Sequence, residues 1–239
     1  MNLKELTLIG CLGNDAEVKQ SKDGNSYISF SVAVNSGYKD KNGNWVNSTT
    51  WTNVTYFKES KVVEYLKKGK LVYVKGKAKW EINYSNGNEY LNSYLTANEI
   101  ILLNDANANY MKLEITGNLG GDAVINETNG KKVIRFSVAV NDKITDESSQ
   151  LVEDTQWVTV FCHRELNLEH YKKGQGIYVR GAVKASIFRT RGGEAIVNLT
   201  LTMDESCIMY ARKKDDDSPE ADNSTGFEDA NEIEGDLPF

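Results

Sequence analysis

Proline is almost absent from this chain of 239 residues. The only two prolines, Pro219 and Pro238, follow residue 212. A proline removes a backbone donor from a β-ladder, so nothing interrupts long strands in the first 212 residues. No apolar run approaches the roughly 20 residues that a membrane-spanning helix needs, and Met-Asn-Leu-Lys-Glu at the start does not resemble a signal peptide. We therefore expect a cytoplasmic protein.

Cysteine and histidine are also scarce. The three cysteines, Cys11, Cys162 and Cys207, form no CxxC pair, which favours buried, reduced thiols. His163 and His170 are the only histidines, and no third ligand accompanies His163 and Cys162. The chain shows no P-loop, paired-carboxylate motif or zinc spacing. We predict that the protein is not an enzyme and has no metal or other cofactor.

The net charge of −6 is unevenly distributed along the chain. Residues 213–239 contain ten acidic residues and two lysines, a net charge of −8, which leaves +2 on residues 1–212. Low hydrophobicity combined with like charge predicts that residues 213–239 are disordered. A slightly basic body is compatible with a polyanionic ligand, although many solvated surfaces have the same composition.

One hexapeptide, Phe-Ser-Val-Ala-Val-Asn, occurs at residues 30–35 and again at 136–141. The repeat extends further, since Lys-Lys-Gly recurs at 67–69 and 172–174, each time followed by a similar strand sequence. A spacing of about 100 residues is the size of a small domain. The predicted organisation is a first unit at 1–104, a linker at 105–110, a second unit at 111–212 and a tail at 213–239.

Apolar and polar residues alternate along 27–35, a pattern that predicts a half-buried strand. Further strands are predicted at 3–12, 49–57, 70–82 and 91–103, with a helix at 59–68. Five strands with a helix between the third and the fourth is the order of an OB-fold, a small Greek-key barrel. We therefore predict an all-β protein of two tandem OB-folds, each with one short helix. The polar stretches 36–48 and 83–88 are predicted to be the loops of two hairpins that project from the barrel.

Aromatic side chains on the predicted third strand are expected to face outward. If Val54 points into the core, Trp51 and Phe57 point outward together, and the second unit directs Trp157 and Phe161 outward in the same way. The predicted fourth strand adds an outward tyrosine and a row of basic residues in each unit. Aromatic rings stack on bases and basic residues follow phosphates, so this combination indicates single-stranded nucleic acid.

Each feature alone has a simpler explanation. A single outward aromatic residue is more often a packing or interface residue, and a lysine row is usually a solvated face; their combination in both units favours nucleic acid. In a regular strand the Trp80 side chain would point into the core, but a bend of the strand would turn it outward. We expect Tyr56, Phe30 and Phe136 in the core. The predicted nucleic-acid-binding residues are Tyr38, Trp45, Trp51, Phe57, Tyr73, Lys75, Lys77, Lys79, Trp80, Tyr84, Trp157, Phe161, His163, Tyr178, Arg180, Lys184, Phe188, Arg189 and Arg191.

The chain contains six motifs in a fixed order: Gly10-x-Leu12-Gly13-x-Asp15, Phe30-Ser-Val-Ala-Val-Asn35, Trp51-x-x-Val54-x-x-Phe57, Tyr65-Leu-Lys-Lys-Gly69, Val72-Tyr-Val-Lys-Gly76 and the terminal Asp236-Leu-Pro-Phe239. In this order they resemble the bacterial single-stranded DNA-binding protein family, in the variety that has two OB domains per chain. The resemblance implies sequence-independent binding and protection of single-stranded DNA in replication, recombination and repair, at the nucleoid.

The resemblance also implies roles for particular residues. In this family aromatic residues at the positions of Trp51 and Phe57 stack on DNA, and Tyr38 fits the position of a third. Trp80 lies near the position of a fourth, with local spacing that departs by a few residues. Family members with two OB domains form homodimers with four. The acidic tip is expected to recruit replication, recombination and repair proteins through Asp236, Leu237, Pro238 and Phe239.

Other interpretations stay open at this point. An RNA-binding or primosome-type OB protein would prefer RNA over DNA, and an oligomerisation module would assemble without binding nucleic acid. An enzyme is the least supported, because no catalytic groups converge. The two units also differ: the first contains three of the four tryptophans, and His163 stands where the first has Phe57. We therefore predict that the first unit binds single strands more tightly.

Overall fold

The computed structural model describes residues 3–21, 24–39, 43–58, 61–104, 108–128, 131–145 and 151–210. The predicted disordered tail, including its four-residue tip, lies outside the described residues. Within the described part of the chain, no helix is long and apolar enough to cross a membrane.

The first unit is a closed five-stranded barrel with an additional edge strand. The barrel order is β1-β3-β4-β6-β5, closed by pairing of β1 with β3 and with β5, and β4 runs parallel to β6. Its elements are β1 Lys4–Leu12, β2 Glu17–Gln20, β3 Ser26–Lys39, β4 Trp45–Tyr56, a 3₁₀ turn Lys61–Tyr65, β5 Leu71–Ser85 and β6 Asn88–Leu102.

The second unit repeats this topology strand for strand. Its barrel order is β7-β9-β10-β12-β11, with a parallel pairing of β10 with β12, and β8 lies at the edge. Its elements are β7 Tyr110–Leu119, β8 Val124–Thr128, β9 Lys131–Thr145, β10 Leu151–Cys162, a 3₁₀ turn Leu168–His170, β11 Gly176–Arg189 and β12 Ala195–Tyr210. The prediction of two tandem OB-folds is confirmed.

Three local predictions differ from the structure. The segment 36–48 is largely a paired ribbon rather than a loop, because Ser36 lies opposite Ser48 and Lys39 opposite Trp45. The helix between β4 and β5 is one 3₁₀ turn, and its role is to bring Leu66 into the core immediately afterwards. The short strand β2 was not predicted, since all four of its residues are exposed and show no alternation.

The two barrels join edge to edge through their first strands, β1 and β7. These strands pair antiparallel over Lys4–Ile9, with Leu6 opposite Leu113, its counterpart in the repeat. Only the last residues of β1, Cys11 and Leu12, pair with β3, so the rest of that strand edge is available for β7. The result is one 12-stranded sheet, in which neither first strand is left as an open edge.

The hydrophobic core is continuous across this seam. Leu6 and Leu113 are both completely buried, and they belong to one cluster that contains the inward residues of both barrels. The predicted inward residues Val54, Val158 and Val160 are buried as expected. Phe30 and Phe136 are also in the core, as predicted.

Candidate nucleic-acid interface

Trp51 projects from the outer face of β4 in the first barrel. Its neighbours Thr52 and Val54 are buried, whereas the Trp51 side chain is 54% exposed. The indole lies over Gly13, at the end of β1: a methyl group there would overlap the ring and come within 3.0 Å of Ser31 Oγ. The absence of a side chain at residue 13 therefore lets the ring lie against the barrel with its other side towards solvent.

The second barrel repeats this arrangement with Trp157 and Gly120. A methyl group on Gly120 would overlap the Trp157 ring and come within 2.9 Å of Ser137 Oγ. Trp157 is less exposed than Trp51, and Phe161 further along β10 is half-buried. The second glycine of each Gly-x-Leu-Gly motif is thus the support on which the tryptophan lies. The sequence alone did not reveal this role.

Phe57 follows β4 and forms a pair with Tyr27 of β3. The ring centroids are 5.6 Å apart with an interplanar angle of 45°, and Phe57 is 53% exposed. Tyr27 was not among the predicted site residues, although it shares the outward parity of Ser29 and Ser31. At the equivalent positions the second barrel has the buried Val133 and the exposed His163, so this aromatic pair is specific to the first barrel.

Trp45 begins β4 at the far end of the β3–β4 ribbon. Its side chain is 62% exposed, and the indole Nε1–H donates a hydrogen bond of 2.7 Å to Asn47 Oδ1. The ring lies against Gly37, where any added methyl group would overlap it. Tyr38 lies beside Gly37 in β3, but its side chain falls outside the described residues.

The β5–β6 hairpin of the first barrel carries a further predicted residue at its end. Tyr84 is 68% exposed, and the turn that follows has positive φ at Asn86 and Gly87, as expected for an Asn-Gly hairpin. Lys79, on the opposite face of the same strand, is exposed and forms an ion pair with Glu81.

The corresponding hairpin of the second barrel contacts the first barrel. Arg189 Nη2 lies 2.9 Å from Glu89 Oε2 of the β5–β6 hairpin, so this predicted phosphate ligand is engaged in an ion pair between the barrels. Lys184 and Arg191 are exposed, and Phe188 is half-buried. An exposed ion pair is weak, about 0–1 kcal/mol, so a phosphate can compete with Glu89 for Arg189.

Several predicted phosphate ligands lie at the seam instead. Lys75 Nζ is 3.0 Å from Glu5 and 3.8 Å from Glu114 of the second barrel, and its hydrogen bond to Glu5 raises the pKa of Lys75. Lys77 Nζ is 2.7 Å from Asp142 of the second barrel. Both lysines thus pair with carboxylates across the seam, so a phosphate has to compete with a carboxylate for each of them, as at Arg189.

Arg180 and the two outward tyrosines share the outer face of the seam. Arg180 forms an ion pair with Glu205 at 3.3 Å and donates a 3.0 Å hydrogen bond to Tyr110 Oη. Tyr73 and Tyr178 are half-buried on the same sheet, opposite residues of β1 and β7.

Two further expectations are corrected by burial. Trp80 is only 5% exposed and belongs to the core, so its inward parity holds and its ring is not accessible to a base. All three cysteines are free, but only Cys162 is buried; Cys11 is half-buried and Cys207 is exposed. No group of three or more His, Cys, Asp or Glu side chains among the described residues could hold a metal ion.

The aspartate that follows each Gly-x-Leu-Gly motif stabilises a loop rather than forming part of a site. Asp15 Oδ1 accepts a 2.8 Å hydrogen bond from the Lys68 backbone N–H, and Asp122 Oδ1 accepts one of 2.9 Å from Lys173. These bonds favour the ionised carboxylates and lower the pKa of both aspartates.

Comparison with known proteins gives consistent matches. A mitochondrial single-stranded DNA-binding protein of Drosophila melanogaster is 35% identical over 106 residues, 43% of this chain and 72% of that protein. A single-stranded DNA-binding protein of Neisseria meningitidis is 36% identical over 112 residues, 46% of this chain and 64% of that protein. The matched segments thus span about two thirds of the length of these relatives.

A solved structure matches nearly the whole described chain. The wild-type single-stranded DNA binding protein from Thermus aquaticus superposes with a TM-score of 0.55 at 20% identity, covering 89% of this chain and 95% of that one. At this identity the match shows the shared fold. The model of the Single-strand binding protein family matches twice, at residues 3–103 and 110–217. The chain therefore belongs to the single-strand binding protein family.

Proposed function

We propose that the protein binds single-stranded DNA without sequence preference, coating and protecting exposed strands during replication, recombination and repair. The observation that carries this proposal is the repeated pair of a tryptophan on a glycine, Trp51 on Gly13 and Trp157 on Gly120. A ring held in this way presents a flat π-face, and every base has a complementary one, so stacking does not depend on sequence. The names of the relatives support the same ligand.

Titration of the full chain with oligo-dT tests this function. We expect quenching of tryptophan fluorescence, because stacking brings bases against exposed indoles, and a binding constant that falls linearly with salt on logarithmic axes, by about 0.7 per phosphate contact. RNA of equal length should bind no more tightly. Normal assembly without any quenching or binding would instead support the oligomerisation module.

The proposed assembly is a homodimer that contains four OB domains. The outer face of the joined sheet supports this, because Tyr73 lies opposite Ile101 across β5 and β6, and Ile101 is 45% exposed. On the same side of the second barrel Tyr178 lies opposite the exposed Cys207. Partly exposed apolar residues grouped on one sheet are typical of a protein interface.

Light scattering measures this assembly directly. We expect a particle of twice the 26.7 kDa of one chain at micromolar concentration. Ile101→Lys should shift the mass towards one chain, because it places a charge in the interface, whereas Val18→Lys on the distant edge strand β2 should not. A single-chain mass for the unmodified protein would refute the homodimer.

The C-terminal tip Asp236-Leu237-Pro238-Phe239 is proposed to recruit replication, recombination and repair proteins. Its composition suits an apolar pocket with a basic rim, since Phe239 offers a ring beside the terminal carboxylate and an acidic segment precedes it. Deleting Phe239 should abolish capture of partner proteins and leave the affinity for oligo-dT unchanged, as measured by pull-down and titration. Loss of both activities would contradict this division of labour.

The proposals on activity, cofactor and location follow from membership of the family and from the lack of P-loop, paired-carboxylate and zinc-binding motifs in the sequence. Binding, rather than a chemical reaction, is the proposed activity, with no cofactor. The proposed location is the cytoplasm, at the nucleoid, where partly unwound chromosomal DNA exposes single strands.

A further inference from the structure

Three exposed rings of the first barrel lie on one line. Trp45, Trp51 and Phe57 are each six residues apart, and β3 and β4 pair without a register shift from Tyr56 to Trp45. An even spacing puts side chains on the same face of a strand, so all three rings share the outer face of β4. Six residues of strand span about 20 Å, which makes the whole row about 40 Å long. We call this row the ring line.

Each ring of the line has its own support. Trp51 lies over Gly13, Trp45 lies over Gly37, and Phe57 packs against Tyr27. All three side chains are more than half exposed. An exposed ring without support would sample several rotamers and lose entropy on stacking. The three supports therefore prepare the rings for stacking.

The second barrel has only the central member of this line. Trp157 lies over Gly120, but Leu151 stands at the position of Trp45 and His163 at that of Phe57. The supports change as well, since Lys143 replaces Gly37 and Val133 replaces Tyr27. The differences are thus concentrated at the two ends of the line.

We propose that the ring line gives the first barrel a longer single-strand site than the second, with Gly37 and Tyr27 as positioning residues at its two ends. This inference rests on the proposed function and adds the extent and order of binding. A short strand contacts one or two rings, and a longer strand contacts all three. Because only the first barrel has the whole line, a limiting amount of DNA fills that barrel first.

The test uses the full chain carrying Trp157→Ala, which weakens the second barrel. Oligo-dT of increasing length is titrated, and affinity is expected to rise with length until the strand reaches the last ring. With Trp45→Ala, affinity should stop rising at a shorter oligonucleotide length. The affinity for long oligonucleotides should fall by roughly five- to 150-fold, the effect of losing one stacked base. The affinity of the shortest oligonucleotides should be unchanged.

The two positioning residues are tested in variants that keep all three rings of the ring line, Trp45, Trp51 and Phe57. Gly37→Ala displaces the Trp45 ring. It should therefore shorten the oligonucleotide length beyond which affinity no longer rises, as Trp45→Ala does, and reduce the quenching of tryptophan fluorescence by DNA. Tyr27→Leu should have the same effect at the Phe57 end. Gly121→Ala is the glycine control, because its methyl group meets nothing within 4 Å. Tyr65→Ala is the control for an exposed ring away from the line.

Two outcomes separate this inference from the proposed function. The ring line is wrong and the function stands if Trp51→Ala weakens binding but the variants of Trp45, Gly37 and Tyr27 behave like the controls. The same conclusion holds if these variants weaken the binding of oligonucleotides of all lengths equally. If Trp51→Ala also binds normally, the proposed DNA face itself is wrong. Circular dichroism of each variant checks that the fold is retained.

Discussion

Replacing Trp51 by alanine is expected to weaken binding of single-stranded DNA by about 1–3 kcal/mol, the contribution of one stacked base. Trp51 is the central ring on the outer face of β4, it is supported by Gly13, and it has exposed rings on both sides. Trp157→Ala should have a smaller effect, because Trp157 is half-buried and has Leu151 and His163 as the corresponding neighbours.

Oligo-dT titrations of the full-length variants measure this difference. Tyr65→Ala is the matched control, since it removes an aromatic side chain that is exposed to a similar extent but lies on the 3₁₀ turn. Affinity should be unchanged in that variant. Equal losses for Trp51→Ala and Trp157→Ala would show that the two barrels bind alike, against the predicted inequality.

Leu6→Ala is expected to lower the free energy of unfolding by about 2–5 kcal/mol, the usual cost of removing a buried leucine side chain. Leu6 is completely buried and lies opposite Leu113 at the centre of the β1–β7 pairing. Because the core continues across this seam, a cavity there should affect both barrels. We expect both barrels to unfold in one transition, at a lower urea concentration than in the unmodified protein.

Urea titrations followed by circular dichroism and by tryptophan fluorescence measure this effect. The two signals should coincide, since Trp80 reports on the first core and Trp157 on the second barrel. Leu113→Ala should lower the free energy of unfolding by a similar amount. Val18→Ala on the exposed edge strand should change it by less than about 0.5 kcal/mol. Two separate transitions in Leu6→Ala would show that the barrels are energetically independent.

The sequence predicted the positions of the long strands well where alternation was strong. Along Phe30 to Val34 one face is buried and the other polar, so the pattern reports the barrel wall directly. It failed along 36–48, because this ribbon extends beyond the core and has no face to bury. The helix was predicted too long, because Val62 and Val63 are only half-buried and one turn is enough to bring Leu66 into the core.

The candidate site was predicted in part. Parity correctly placed Trp51 and Phe57 outward, since it depends only on neighbours in one strand. It could not identify Gly13, Gly37 or Tyr27 as supports, because these contacts join residues of different strands. It also treated Trp80 as a possible ligand, although this ring is in the core.

By itself the sequence determined that the protein has two copies of one barrel, and that each presents aromatic residues on the outer face of its third long strand. Repeats and alternation are local properties of the chain, so they can be read without coordinates. Only the tertiary structure decided which outward cations pair with the other barrel. Lys75 and Lys77 look like solvated lysines in sequence. In the structure Lys75 is close to Glu114 as well as to Glu5 of its own barrel, and Lys77 pairs with Asp142; Glu114 and Asp142 both belong to the second barrel. The pairing of β1 with β7 brings these charges together. The sequence of a single strand does not predict which distant strand it will pair with, so these contacts could not be predicted.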